Sequence, residues 1–481
     1  MMEIVPAERF PRRDRAGLKA FLEYCREQAR QAGSPRLVSI SLEVRHIDPL
    51  AVLEAIYEPG ERHFYLEQTA AEEGLAGAEA IIEGTFDGPE RFRAVEAFRA
   101  EAVRRTIAIG DAQAPFFGPH FFCGFTFFDE VEHKGDGAPA FAPATVFLPR
   151  WQVGFKDGRY GAVANLGVSA ETDLEPLVEK VWRAHARFAA FPYGPSETAP
   201  GLPANASVQR TDFVDTQAYA AMVADALERI EAGAYAKIVL ARAVDLEQSG
   251  AYRPLRLLNA LRQRYPTCHC FSLANGQGQS FVGATPEELA RATGGQLTTE
   301  ALAGSAPRGT TAGDDAALGM ALLESGKDLR EHSLVVDSIE RRLRSVGLQP
   351  KRDAERPRLT RLANVQHLRT RLSAALKAEV PFLTAVAALH PTPALGGTPR
   401  GPALEDIARL EPFARGLFGG LIGWLGPRGD TGLMTVGIRS GLVDGSRARL
   451  YAGAGIVAGS DPQREAAETE LKLSALLGSF A

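Results

Sequence analysis

The chain predicts an α+β protein, with large, mostly antiparallel sheets surrounded by helices, and three observations carry that reading. Long strands and glycine turns are mixed irregularly with helices after residue 205, without the strict strand–helix alternation of a parallel sheet. Helical apolar spacing recurs at separated places, as in 14–32 (Leu18, Phe21, Leu22, Cys25) and 90–106 (Phe92, Val95, Phe98, Val103). No fixed-period repeat runs along the chain, which sets aside solenoids and propellers.

Composition narrows the class of function. The chain has 481 residues, 45% apolar and 23% charged, which is ordinary for a folded soluble protein. At about 100–200 residues per domain, that length allows about three domains or one large fold. Its net charge of −5, from 54 basic and 59 acidic residues, gives no basic surface for nucleic acid. No segment approaches the roughly 18 apolar residues of a membrane span. The start, Met1 to Pro6, lacks the regions of a signal peptide. A soluble cytoplasmic protein is expected. The four cysteines, Cys25, Cys123, Cys268 and Cys270, form no disulfide framework. Cys268, Cys270 and Ser272 alternate with His269, Phe271 and Leu273, so a buried strand explains them better than a metal site.

Among the elements in order, Phe121, Cys123, Phe125 and Phe127 alternate as a core strand, and Thr145–Leu148 and Tyr160–Val163 are further strands. A helix follows at 173–190. Residues 192–207 are rich in Pro, Ala, Gly and Ser and read as a linker or surface crossing, dividing residues 1–204 from 205–481. Beyond it, helices are expected at 215–233, 253–264, 314–346, 380–388, 402–409 and 461–478.

Several residues stand where chemistry could occur. Only nine of the 54 basic residues are lysines, and one of them, Lys237, opens the apolar run Lys237-Ile238-Val239-Leu240. It reads either as a snorkelling side chain or as an amine dry enough to serve as a base. Glu287 follows the strand that ends at Pro286. It is expected at a strand-to-helix junction, as a helix cap or as an acid aimed into a cleft. Residues 300–309 read as a glycine-bearing turn, either plain or an anion nest. Glu331 lies beside the helical stripe Leu334, Val335, Ile339 and Leu343, where an acid is solvated at the edge, paired or metal-bound. His390 to Pro399 is too rich in Pro and Gly for an element interior and reads as a rigid loop. Arg439 sits in the apolar strand Thr435–Arg439, where an inward arginine needs a carboxylate. Gly453 and Gly455 permit close backbone approach to a ligand. Asp461-Pro462 starts a helix that places Glu465, Glu468 and Lys472 on one face, crowded by Leu471, Leu473, Leu476 and Leu477.

Together these stretches resemble the chorismate-utilising enzymes, most closely the isochorismate synthases. The matching segments are KIVLAR (237–242), FVGATPE (281–287), TEALAGSAPRG (299–309), REH (330–332), LHPTPALGGTPR (389–400), RGLFGGLIGW (415–424), VGIRS (436–440) and YAGAGIVAGSDPQREAAETELKL (451–473). Each alone is weak; eight in the family's order are specific. The first 200 residues resemble the family more faintly, near 118–128 and at Phe147-Leu148-Pro149-Arg150.

The resemblance implies a single large fold of two stacked, mostly antiparallel sheets with helices outside. In it, residues 1–204 complete the sheets and 205–481 form the chorismate-binding part. It implies Lys237 as the general base for water attacking C2 of chorismate, and Glu287 as the acid that protonates the departing C4 hydroxyl. Glu331 and Glu468 would hold Mg²⁺, with Asp328 and Glu465 behind them. Arg439 and the backbone at Gly453 and Gly455 would grip the pyruvyl carboxylate. Ala303, Gly304, Ser305, His390, Phe418, Ile438 and Lys472 complete the implied substrate contacts. Ala303 stands where aminodeoxychorismate synthases carry a nucleophilic lysine, which argues against covalent catalysis. Phe418 and Ile438 replace the Tyr and Leu common in salicylate synthases, and that favours stopping at isochorismate. The glutaminase partner of anthranilate synthases is not expected, and the family implies a monomer or weak oligomer.

Overall fold

The computed structural model describes residues 2–480 apart from 11–13, 59, 112–113, 135–136, 138, 190, 192–207 and 362–364. The linker expected at 192–207 lies outside the described residues.

Among the described residues, 22 strands join in one hydrogen-bonded network. Every pairing of named strands is antiparallel except two: Glu3–Val5 and Arg36–Glu43 both run parallel to Thr106–Ile109. The network has two layers that meet at the long strands Glu73–Phe86 and Ala144–Lys156. One end of Ala144–Lys156 pairs with Arg159–Val168, and its other end pairs with Phe121–Phe125.

The first layer continues through His63–Gln68, His269–Ala274 and Gln279–Thr285 to Ser440–Asp444, Arg447–Val457 and Lys237–Glu247. The second runs from Phe121–Phe125 through Leu421–Leu425, Gly432–Val436, Glu288–Thr293 and Gln296–Pro307 to Val365–Ala375. Their facing sides share one core. Phe64 stacks on Phe122 with ring centroids 4.2 Å apart, and a Cβ placed on Gly124 would stand 2.5 Å from Leu273. The two stacked layers are therefore joined through shared strands, because Ala144–Lys156 is long enough to serve both.

The helices lie where periodicity puts them, with one difference. The helix expected at 314–346 is two, Ala312–Glu324 and Gly326–Ser345. Ser325 is extended between them, and its hydroxyl accepts the Asp328 N–H to cap the second helix. An additional helix, Pro49–Ile56, begins at Asp48, whose carboxylate accepts the N–H groups of Leu50 and Ala51.

Strand Lys237–Glu247 is buried on both faces over most of its length, which explains its unbroken apolar run. It is held from the side by a buried ion pair. Arg415 and Glu411 are each 2% exposed. Arg415 donates to Glu411, to Val239 O at 2.8 Å and to Leu395 O at 3.1 Å. Glu411 in turn accepts the Ala241 N–H at 2.8 Å. Removing one member strands the other charge in the core. Arg415→Met is expected to lower stability by about 3–5 kcal/mol in urea unfolding; a loss below about 1 kcal/mol would show that the clamp is dispensable.

Candidate active site

Lys237 is the first residue of its strand, paired with Val457 on one side and Thr398 on the other. Its Nζ is 3.9 Å from a Glu331 carboxylate oxygen, with side chains 23% and 44% exposed. Gly455 makes this possible: a Cβ there would stand 3.1 Å from Lys237 Cε and 3.6 Å from Nζ. The glycine expected to admit a ligand thus first admits the protein's own lysine. Gly453 is two residues along on the same face, and its carbonyl accepts from Lys472 Nζ at 2.7 Å. Lys472 also pairs with Glu468 at 2.7 Å. Two lysines thus reach this strand face, Lys237 from the neighbouring strand and Lys472 from helix Pro462–Phe480, each matched to one of the two glutamates expected to bind metal.

Glu287 does not cap a helix. It stands between strands Gln279–Thr285 and Glu288–Thr293, so the junction is strand to strand. Its backbone N–H donates to Thr285 Oγ1 at 3.2 Å, and Val436 N–H donates to its carbonyl at 3.0 Å. Burial pushes the Glu287 carboxyl up to about 7. The nearby Glu300 carboxylate adds to that rise and the Lys237 ammonium opposes it. Glu300 is offset by Arg369 and Arg371, at 3.7 and 3.9 Å.

The segment expected as a turn is a strand, Gln296–Pro307, broken by a bulge between Ala303 and Ser305. Gly304 takes φ +75° there, and a Cβ on it would meet Asp328 Cβ at 3.2 Å. The bulge re-aims three candidate residues. Ala303 O faces His332, Gly304 lies under Asp328, and Ser305 Oγ is 2.8 Å from His367 Nδ1. Asp328 is engaged in the Ser325 cap.

Arg439 is not inside a strand. It turns the corner between Gly432–Val436 and Ser440–Asp444 with φ +52°, a conformation rare for a residue with a Cβ. Its guanidinium is buried enough to be held below the usual arginine range. Tyr265, Cys268 and Glu468 oppose that fall, and no carboxylate among the described residues is paired with it. An arginine presented without a partner is suited to an incoming carboxylate.

Glu465 is shifted upward by burial and by neighbouring Glu468, and Ser460 draws it back. Leu334 and Leu471, expected in apolar stripes, are 70% and 73% exposed and do not crowd the acids. Phe418 is 6% exposed and stacks on Tyr451 at 5.1 Å, while Ile438 is partly buried against the same core. His390 is 3% exposed beside Phe92 and Phe127, and burial pushes its imidazole down to about 3. These three lie in packing rather than among the charged groups. Two cavities, of about 650 and 770 Å³, are lined by none of the candidate residues.

Sequence reasoning missed Glu300, His332, His367 and the strand Val365–Ala375 that supports them. The alternation of Gln366, Leu368, Thr370 and Leu372 inward against His367, Arg369 and Arg371 was the available signal.

As a metal site the donor chemistry fits a hard cation. Glu331, Glu468 and Glu465 offer only carboxylate oxygens. No cluster of three or more His, Cys, Asp or Glu is gathered for a metal among the described residues. An ion that takes one or two carboxylates and fills its shell with water and substrate oxygens suits such a site.

Comparisons with known proteins bear on the family and the fold. The isochorismate synthase MenF of Bacillus subtilis is 31% identical over 461 residues, 94% of this chain and 95% of that protein. A salicylate biosynthesis isochorismate synthase of Pseudomonas aeruginosa is 33% identical over 467 residues, 95% and 93% of the two chains. Among solved structures, MenF, the menaquinone-specific isochorismate synthase from Escherichia coli, matches with TM-score 0.76 at 26% identity, covering 96% of this chain and all of that one. Anthranilate synthase component I from Streptococcus pneumoniae shares the fold, with TM-score 0.70 at 20% identity over 85% and 93% of the two chains. The model for chorismate binding enzymes matches residues 21–481, and the chain belongs to that family.

Proposed function

We propose that this chain is an isochorismate synthase that isomerises chorismate to isochorismate with Mg²⁺ bound. One observation supports the reading: Lys237, beside Glu331, also acts electrostatically on Glu287, an acid that burial pushes up to about 7. Relatives named for isochorismate synthesis cover nearly the whole chain.

Lys237 Nζ, as the uncharged amine, takes a proton from water as the oxygen adds to C2 of the ring. Glu287, protonated because it is buried, gives its proton to the C4 hydroxyl, which leaves as water. Loss of hydroxyl at C4 balances gain at C2, so no redox partner is needed. Arg439 and the backbone at Gly453 and Gly455 receive the pyruvyl carboxylate, and Ala303, Gly304 and Ser305 line the ring at the bulge. Glu331 and Glu468 would hold Mg²⁺, which would neutralise the ring carboxylate and orient it; Asp328 and Glu465 stand behind them. Phe418 and Ile438 stand where salicylate synthases commonly carry Tyr and Leu, which favours release of isochorismate over elimination to salicylate. The protein acts in the cytoplasm as a monomer or weak oligomer and needs no glutaminase. The product supplies whichever consuming reaction the cell couples to it.

Incubation with chorismate and Mg²⁺, with chromatographic identification of the product, tests the reading. Isochorismate is expected; salicylate as the main product would replace it with a salicylate synthase. Lys237→Ala and Glu287→Gln are each expected to reduce kcat at least 10²-fold, the lower bound usual for a lost general base or acid, with circular dichroism unchanged. Near-wild-type turnover in either would remove its assigned role. Because the acid must be protonated, kcat/KM is expected to fall as pH rises through about 7, and no such limb should be traceable to Glu287 in Glu287→Gln. Chelation with EDTA should abolish turnover and added Mg²⁺ should restore it. Full activity in EDTA would exclude the metal.

A further inference from the structure

His332 follows Glu331 directly and points the other way. It is 3% exposed, whereas the Glu331 side chain is 44% exposed. Its imidazole spans two paired strands: Nδ1 lies 3.3 Å from Ala303 O in Gln296–Pro307, and Nε2 lies 2.8 Å from Thr370 Oγ1 in Val365–Ala375. A carbonyl only accepts, so Nδ1 carries the proton and donates to Ala303, while bare Nε2 accepts from the Thr370 hydroxyl.

The contact falls at one particular place. Ala303 is the last residue before the bulge, and Gly304 leaves room for Asp328, one helical turn before His332. Helix Gly326–Ser345 is thereby seated on the strands at two successive turns: Asp328 fits over a glycine and His332 is bonded to both strands. Rotation of a helix about its axis moves a side chain on its outer face through several ångströms, so whatever fixes the azimuth at 332 fixes Glu331. No other side chain of this helix makes a hydrogen bond to Gln296–Pro307 or Val365–Ala375 among the described residues.

We infer that His332 is a positioning residue for the metal site: its two hydrogen bonds, to Ala303 O and Thr370 Oγ1, set the rotation of the helix that presents Glu331. It touches neither substrate nor metal. The inference rests on Glu331 as a metal-holding residue in the function proposed above. Groups that act behind a metal ligand typically change metal affinity by about 10–100-fold when removed.

The test is Mn²⁺ binding followed by electron paramagnetic resonance on the purified full chain without substrate, with unfolding midpoints recorded alongside. His332→Leu keeps the site apolar and removes both bonds. Thr370→Val removes one bond with little change of shape. His332→Asn retains a donor near the Nδ1 position. Relative to wild type, His332→Leu is expected to weaken Mn²⁺ binding at least tenfold. His332→Asn should recover part of that, and Thr370→Val should weaken binding less than His332→Leu. The Mg²⁺ concentration for half-maximal turnover should rise in parallel, with kcat at saturating Mg²⁺ within about threefold. Should His332→Leu not fold, Thr370→Val and His332→Asn decide the matter. Unchanged Mn²⁺ affinity in these variants, or a lowered unfolding midpoint as their only effect, overturns the inference. Failure of the wild-type chain to bind Mn²⁺ would instead refute the metal assignment itself, so the two failures are distinguishable.

Discussion

The buried pair of Arg415 and Glu411 is the constraint on which the site's geometry depends. Two opposite charges out of water are stable only when every lone pair and proton is used. Here the remaining groups are satisfied by the backbone at Val239, Ala241 and Leu395. That demand draws the Pro- and Gly-rich loop after His390 against the strand that begins with Lys237. The guanidinium also lies 4.2 Å from the Phe127 ring centroid, so the same charge fastens a segment from the first third of the chain. An amine on a frayed strand end would wander. This one starts a strand whose third and fifth residues are anchored from the side.

Around that fixed strand, charge is arranged in matched pairs. Lys237 stands with Glu331, and Lys472 with Glu468, while Arg439 is left unmatched at the corner beside them. Glu287 and Glu300 face each other in a drier place, where like charge and burial act in the same direction. In the function proposed above, a dianionic ligand entering between these groups would meet Arg439, unpaired among the described residues, and an acid whose carboxyl burial pushes up to about 7. In the function proposed above, a carboxyl held protonated by burial beside an amine is what would serve two proton transfers of opposite sense at one pH.

Much of this was legible in the sequence. The strand at Lys237, the helices at both ends of the chain and the small-residue run after Tyr451 follow from periodicity and composition, since those elements bury one stripe or two full faces. What escaped was decided by local backbone rather than pattern. The apolar run around Arg439 looks like continuous strand, yet the chain turns there through a left-handed residue. Residues 300–309 carry the glycine of a turn, but that glycine serves a bulge inside a long strand. Ser325 has no helix-breaking identity, and its extended conformation divides a stripe that reads as unbroken. Gly455 reads as room for a ligand because sequence cannot show that a lysine two strand positions away occupies the space first. The exposure of Leu334 and Leu471 was equally hidden, since an apolar residue beside a stripe looks like part of it.

The long strands that unite the two layers bear on how the chain is made. Phe121–Phe125 finds a partner in Leu421–Leu425, and Cys123 reaches the Gly423 carbonyl across 300 residues of sequence. His63–Gln68 likewise waits for His269–Ala274. As a ribosome releases the chain from its N-terminus, those early strands emerge with edges exposed and stay so until much of the remainder has been synthesised. Such distant pairings also slow the search for the native topology. During synthesis, then, this protein is at its most vulnerable in residues 1–204, which carry none of the proposed catalytic groups.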